Sequence, residues 1–257
     1  MVRKTHPTKT FQSRTTVLLP NIEDDKRKTE NGKPLLRICV PVVESNVLRA
    51  RSLYLRAARR GFWTELRLDY LEQPDLKRLF RTRPGKVIAT NRLESEGGQW
   101  RGSEAERRLL LEEALNHSVD FLDLELATDA DWRRDLCSRR GSTRLILSWH
   151  DFSGTPDSSR LEEVLQEMLA ADGDILKIVT QAREPGDNLR VLSLIPRARA
   201  AGREIIAFCM GPLGKWSRVV APYLGSFLTF APFSKKGASA PGQLTVNEIR
   251  RIWKMMK

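Results

Sequence analysis

Lys177 sits inside Gly173-Asp-Ile-Leu-Lys177-Ile-Val179, an apolar run with the length of a short buried strand. Burial strips water from an ammonium and favours the uncharged amine, which is a nucleophile toward carbonyl carbon. The competing reading is a lysine near a strand end whose amine snorkels to solvent. A second apolar run, Leu145-Ile-Leu-Ser-Trp-His150-Asp-Phe152, carries a histidine near its end, a side chain suited to proton transfer near neutral pH. In Thr64-Glu65-Leu-Arg67-Leu-Asp69, charged and apolar residues alternate, so Glu65, Arg67 and Asp69 share one face of a strand. Asp123 and Glu125 alternate in the same way in Leu122-Asp-Leu-Glu-Leu126. Charges on the inner face of a strand are costly. They mark either a reactive site or a structural ion network, such as Arg67 with Glu125. Lys177, His150 and Glu65 together supply a nucleophile, a proton shuttle and a carboxylate to orient the shuttle, the parts needed for covalent catalysis with acid–base help.

The surrounding pattern says what must position these groups. Strand candidates fall at 36–43, 64–68, 86–90, 121–126, 144–149, 175–179, 204–209 and 226–230. Helical patterns lie between them at 46–60, 75–81, 103–116, 129–139, 158–171, 188–201 and 216–224, and a last one at 245–256 closes the chain. Ser103-Glu-Ala-Glu106 and Thr245-Val-Asn-Glu248 read as capping boxes, and Gly61, Gly141 and Gly202 follow their helices as stop signals. Strands alternating with helices pair in parallel through right-handed crossovers. Eight such units predict a single-domain (β/α)8 TIM barrel, with a doubly wound open sheet as the alternative. No Gly-x-Gly-x-x-Gly follows the first strand, which weakens the dinucleotide-binding form of that alternative. In a barrel, polar residues at the C-terminal ends of strands converge on one mouth. That brings Arg92, at the end of strand three, and Ser239-Ala-Pro-Gly-Gln243, after strand eight, to the residues already named.

Residues 1–34 are polar and basic and read as an N-terminal extension, partly disordered or a small hairpin at the barrel bottom, with the catalytic barrel at 35–257. The first residues lack the apolar core of a secretory signal, and no apolar stretch approaches the ~20 residues that span a bilayer. Cys39, Cys137 and Cys209 read as free thiols of a reducing, cytoplasmic protein. There is no zinc-type spacing, and no metal is expected. The excess of 44 Lys+Arg over 32 Asp+Glu is spread through helical patterns, with pairs such as Arg107-Arg108 and Arg133-Arg134 read as solvated faces that steer anions. Binding to nucleic acid or a membrane finds no motif in support.

Read in order, Ile38-Cys-Val-Pro-Val42, Glu65-Leu-Arg-Leu-Asp69, Asp123-Leu-Glu-Leu126, Ser148-Trp-His-Asp-Phe152, Lys177-Ile178, Met210-Gly-x-x-Gly-x-x-Ser-Arg218 and Ser239-Ala-Pro-Gly-Gln243 resemble the type I 3-dehydroquinate dehydratases. The resemblance implies a cofactor-free loss of water from 3-dehydroquinate, giving 3-dehydroshikimate in the shikimate pathway. It implies an imine between Lys177 and the substrate ketone, with His150 moving protons and Glu65 paired to it. It implies that Arg218 holds the substrate carboxylate and that Arg67, Arg92, Ser239 and Gln243 meet its oxygens. Met210 and Phe230 become pocket walls, with Asp69, Asp123 and Glu125 in supporting roles. A homodimer is expected by analogy. Pro41 stands where some relatives carry serine, and Pro212 and Trp216 are local departures in their loop. The rival functions are a class I Schiff-base aldolase and a non-catalytic barrel that binds an anionic metabolite. The Glu–His pair and the carboxylate-clamping arginine favour dehydration over the first, and the retention of Lys177 and His150 opposes the second.

Overall fold

The computed structural model describes residues 36–256. The expected extension at 1–34 lies outside the described residues. Eight parallel strands run in the order β7-β6-β5-β4-β3-β2-β1-β8. They are β1 Ile38–Val42, β2 Trp63–Arg67, β3 Val87–Thr90, β4 Phe121–Glu125, β5 Arg144–Asp151, β6 Ile175–Gln181, β7 Glu204–Met210 and β8 Thr229–Phe230. The N–H of Phe227, just before β8, donates to Ile205 O on β7 at 2.7 Å and draws the two ends together. The result is the nearly closed (β/α)8 barrel that the alternation of strands and helices predicts.

The helices are α1 Val47–Arg59, α2 Leu76–Leu79, α3 Glu104–Asn116, α4 Ala130–Arg139, α5 Ser158–Ala170, α6 Pro185–Leu192, α7 Leu194–Ala200, α8 Lys215–Val220 and α9 Val246–Met255. Both capping boxes form, at Ser103/Glu106 and Thr245/Glu248. The single helix expected at 188–201 is two, divided at Ser193. Pro196 is the reason, since it has no N–H to return to the preceding turn and its ring crowds the carbonyl there. The pattern at 216–224 likewise gives α8 followed by a 3-10 turn at Ala221–Leu224 that contains Pro222. The segment at 75–81 contracts to the four-residue α2. Among the described residues, no helix is long and apolar enough to cross a membrane.

Register sets the depth of each inward side chain. Trp63 stacks on Phe121 with ring centroids 5.1 Å apart and meets Phe227 edge-on at 5.4 Å. These rings come from β2, from β4 and from the approach to β8, which are not neighbours in the sheet, so they meet across the barrel interior. They plug its lower end, and Arg144 closes over Phe121 and Phe227 while pairing with Glu204 at 2.5 Å. Above this plug the inward residues become charged.

Candidate active site

A cleft opens at the C-terminal ends of the strands. Its lining brings together Glu65, Arg67, Arg92, His150, Lys177, Met210, Arg218, Phe230, Ser239 and Gln243, ten of the residues that the sequence singled out. Asp69, Asp123 and Glu125 lie buried around it.

Lys177 is 5% exposed on β6, with Nζ 4.9 Å from the centre of the Phe230 ring. The sequence suggests an amine stripped of water and favoured in its uncharged form. Instead Nζ donates to Asp123 Oδ2 at 2.8 Å and to Glu65 Oε1 at 3.5 Å. Barrel geometry explains this, because inward residues of β2, β4 and β6 occupy one layer although their strands are not adjacent. Asp123 is shared with Arg92, whose NH2 donates to Asp123 Oδ1 at 2.5 Å. Burial disfavours the Asp123 charge, but Arg92 and then Lys177 outweigh this and hold the carboxyl well below its usual range.

Arg92 is covered by acceptors: Ser148 Oγ at 2.6 Å, Glu125 Oε1 at 3.2 Å and Glu96 Oε2 at 3.5 Å surround it besides Asp123. Glu125 also receives Arg107, from α3, at 2.7 Å. The suggested Arg67–Glu125 pair is therefore absent; Arg67 forms a two-pronged contact with Asp69 at 2.8 and 2.7 Å. Arg107 is completely buried and Arg133 is 8% exposed, which corrects the reading of solvated faces for one member of each pair, while Arg134 is exposed and Arg108 half-buried as that reading expects. Arg107 reaches inward to Glu125, Glu104 and Thr128, and Arg133 NH1 donates to the Leu126 and Thr128 carbonyls. Charged residues surrounded by other charges in a helical pattern give no sign of this, since Glu125 lies on β4 and the carbonyls that Arg133 meets lie in the turn after it.

His150 is oriented by a residue the sequence reading missed. Its Nδ1 lies 2.8 Å from Glu96 Oε2, and Glu65 is not its partner. The reason is depth. His150 pairs in register with Val179, one inward layer above Lys177, whereas Glu65 lies at the level of Lys177 and accepts from Thr90 Oγ1 at 3.2 Å. Glu96 reaches the upper layer from the loop after β3, through a 3-10 turn at Glu94–Glu96 closed by Gly97 at φ +75°. A Cβ on Gly97 would collide with the Phe152 ring. The available sequence signal was Glu96-Gly97-Gly98, a carboxylate at a turn directly after a strand that ends in arginine. Burial pushes the Glu96 carboxyl up to about 7, against the pull of Arg92. Burial, then Arg92 and Lys177, hold the His150 imidazole well below its ordinary value, so it is neutral at neutral pH.

Arg218, on α8, is 1% exposed and lies 4.4 Å from the centre of the Phe208 ring. Its NH2 donates weakly to Pro241 O at 3.4 Å, and its Nε finds no acceptor among the described residues. Burial without a facing carboxylate lowers the guanidinium to about 10. A buried cation in this condition is suited to an incoming anion. Ser239 and Gln243 bond to each other, Ser239 N–H to Gln243 Oε1 at 2.9 Å and Gln243 Nε2 to Ser239 Oγ at 3.0 Å. Their loop leans on the one after β7 through Gly211 N–H to Pro241 O at 3.2 Å. Gly242, at φ +77°, leaves no room for a Cβ beside the Gly211 carbonyl. Together the cleft offers an amine, an imidazole with a carboxylate partner, and a guanidinium for an anion.

The sequence model of the type I 3-dehydroquinase family matches residues 38–257. The 3-dehydroquinate dehydratase of Methanocaldococcus jannaschii is 33% identical over 224 residues, which is 85% of this chain and 98% of the relative. That of Syntrophobacter fumaroxidans is 42% identical over 174 residues, covering 66% of this chain and 73% of its own. The crystal structure of 3-dehydroquinate dehydratase from Geobacillus kaustophilus superposes with a TM-score of 0.78 at 29% identity, covering 92% of this chain and 98% of that one. With this fold, this cleft and a family match that spans the whole barrel, the chain belongs to the type I 3-dehydroquinase family.

Proposed function

We propose that this protein dehydrates 3-dehydroquinate to 3-dehydroshikimate through an imine on Lys177, with His150 as the proton shuttle. The observation that carries the reading is the meeting, in one cleft, of Lys177, the His150–Glu96 pair and Arg218, whose Nε has no acceptor among the described residues. Arg218 takes the substrate carboxylate and fixes the ring. The Lys177 amine, once it has shed its proton, adds to the ketone carbon, and the carbinolamine loses water to give an iminium. That cation is an electron sink, so the neighbouring C–H becomes acidic. With Glu96 ionised and accepting from Nδ1–H, His150 presents Nε2 as a base for that proton. The C–H electron pair forms the new C=C bond as the β-hydroxyl departs with a proton from the imidazolium. Water then hydrolyses the conjugated iminium, restores the amine and releases the enone, so the net change is the loss of one water. Glu65, beside Lys177, is placed to stabilise the cationic stages at Nζ.

The test is to add 3-dehydroquinate without metal or nucleotide and follow the enone absorbance, then repeat with borohydride and map the adduct mass. Enone formation and a reduced adduct on Lys177 are expected. Turnover without any adduct would refute the imine, and no turnover by folded protein would refute the reaction.

A further inference from the structure

We propose that Asp69 is a positioning residue that couples Arg67 to the Glu96–His150 pair. This rests on the dehydratase reading above. Asp69 lies in the 3-10 turn Leu68–Tyr70 that directly follows β2, and its side chain is fully covered. Oδ1 accepts from Arg67 Nε at 2.8 Å and Oδ2 from Arg67 NH2 at 2.7 Å. A two-pronged contact of this kind fixes the plane of the guanidinium, and the Tyr70 ring, 5.0 Å from Cζ, backs it. Arg67 is thereby held as one wall of the cleft.

The same carboxylate has a second task. Its Oδ2 also accepts from the backbone N–H of Gln99 at 3.0 Å. Gln99 is three residues beyond Glu96 in one tight loop, in which the N–H groups of Glu96 and Gly98 both donate to Leu93 O, at 3.1 and 2.8 Å. Asp69 thus grips a cleft-lining guanidinium and the loop that carries the partner of His150. Substrate contact at Arg67 and proton transfer at His150 are mechanically joined through one buried side chain. Hydrogen bonds weaken steeply as geometry degrades, so a small release at Gln99 is felt in the 2.8 Å contact between Glu96 and His150. A partner of Arg67 alone would influence substrate binding only; a coupling residue also moves the pH dependence.

The experiment is a double-mutant cycle on turnover of 3-dehydroquinate, with Asp69→Asn, Glu96→Gln and both together, each followed across pH. Asp69→Asn is expected to raise KM about tenfold, the scale usual for partners that orient a functional group. It should also displace the pH profile of kcat in the same direction as Glu96→Gln does. The double mutant should show the profile of Glu96→Gln alone; additive displacements overturn the coupling. A raised KM with an unmoved profile overturns it too. If Asp69→Asn does not fold, Gln99→Pro carries the test: the Gln99 side chain is exposed, and proline removes the N–H that donates to Asp69 while also fixing the backbone φ there. It should displace the profile, and a wild-type profile there refutes the proposal. Wild-type protein without turnover would sink the dehydratase reading and this one with it, whereas active wild type with unmoved variants sinks this one alone.

Discussion

Glu96→Gln should make the protein more resistant to unfolding at alkaline pH and less able to turn over substrate. The carboxyl ionises at about 7 in the folded chain against an ordinary value of 4.5, chiefly because burial leaves only 11% of the side chain exposed. A folded-state pKa above the unfolded value means that the native protein holds a proton which the unfolded chain has released. The stabilisation from that bound proton is complete below about pH 4.5 and is lost as pH rises through 7. The gap of about 2.5 pH units corresponds to about 3 kcal/mol at 1.36 kcal/mol per unit. A glutamine keeps the neutral shape and does not ionise, so the mutant does not lose this amount.

The measurement is urea unfolding of wild type and Glu96→Gln between about pH 4.5 and 8. The difference in unfolding free energy should move toward the mutant by about 3 kcal/mol across that window. His150 acts in the opposite sense, since its depressed value costs stability as pH falls below about 6.5; it is present in both proteins and largely cancels. Turnover should fall in the same mutant, because an amide orients the imidazole without stabilising its cation. Parallel stability curves would show that Glu96 is ionised at little cost, and the account of the His150 partner would fail.

Arg218→Leu should raise KM for 3-dehydroquinate on the order of a hundredfold, as expected for losing charge-assisted hydrogen bonds to a carboxylate, with the melting temperature unchanged or higher because a buried unpaired charge is gone. An unchanged KM would remove Arg218 from substrate binding. Gly97→Ala should destabilise the fold by at least about 1 kcal/mol and lower kcat, since the left-handed backbone and the Phe152 ring both oppose a Cβ and the loop moves Glu96. Urea unfolding and steady-state kinetics on the same preparation check both effects.

The barrel was legible because strand alternation and capping survive in the local sequence. Glu65, Arg67 and Asp69 could be placed on one face from period-two spacing alone, and Ser103 and Thr245 marked the starts of helices. Contacts that depend on depth inside the barrel were less legible. Glu65 and Glu96 are both carboxylates close to strand ends, and only register shows which of them reaches the layer of His150. Arg107 looked like one of many surface arginines because Glu125, which binds it, belongs to another element. The division of 188–201 is readable in principle from Pro196, whose missing donor competes with a long apolar periodicity.

Charge balance in the cleft explains why so costly a layer is tolerated. Glu65, Glu96, Asp123 and Glu125 face Arg92, Arg107 and Lys177 in connected pairs, while Arg218 stands apart, with no carboxylate partner among the described residues. The anion that Arg218 lacks is what a hydroxy-acid substrate brings. On the proposed path the Lys177 nitrogen is again a cation as the iminium, so Asp123 and Glu65 keep a positive neighbour while the C–H bond breaks. The surrounding dipoles then need no rearrangement as charge develops, which is the condition under which fixed electrostatics accelerate a reaction. A desolvated amine without partners would be more nucleophilic at the start, but its iminium would stand unsupported. On the proposed path, the carboxylates that pair with Lys177 would stand beside the iminium nitrogen as well, so the same contacts serve both stages.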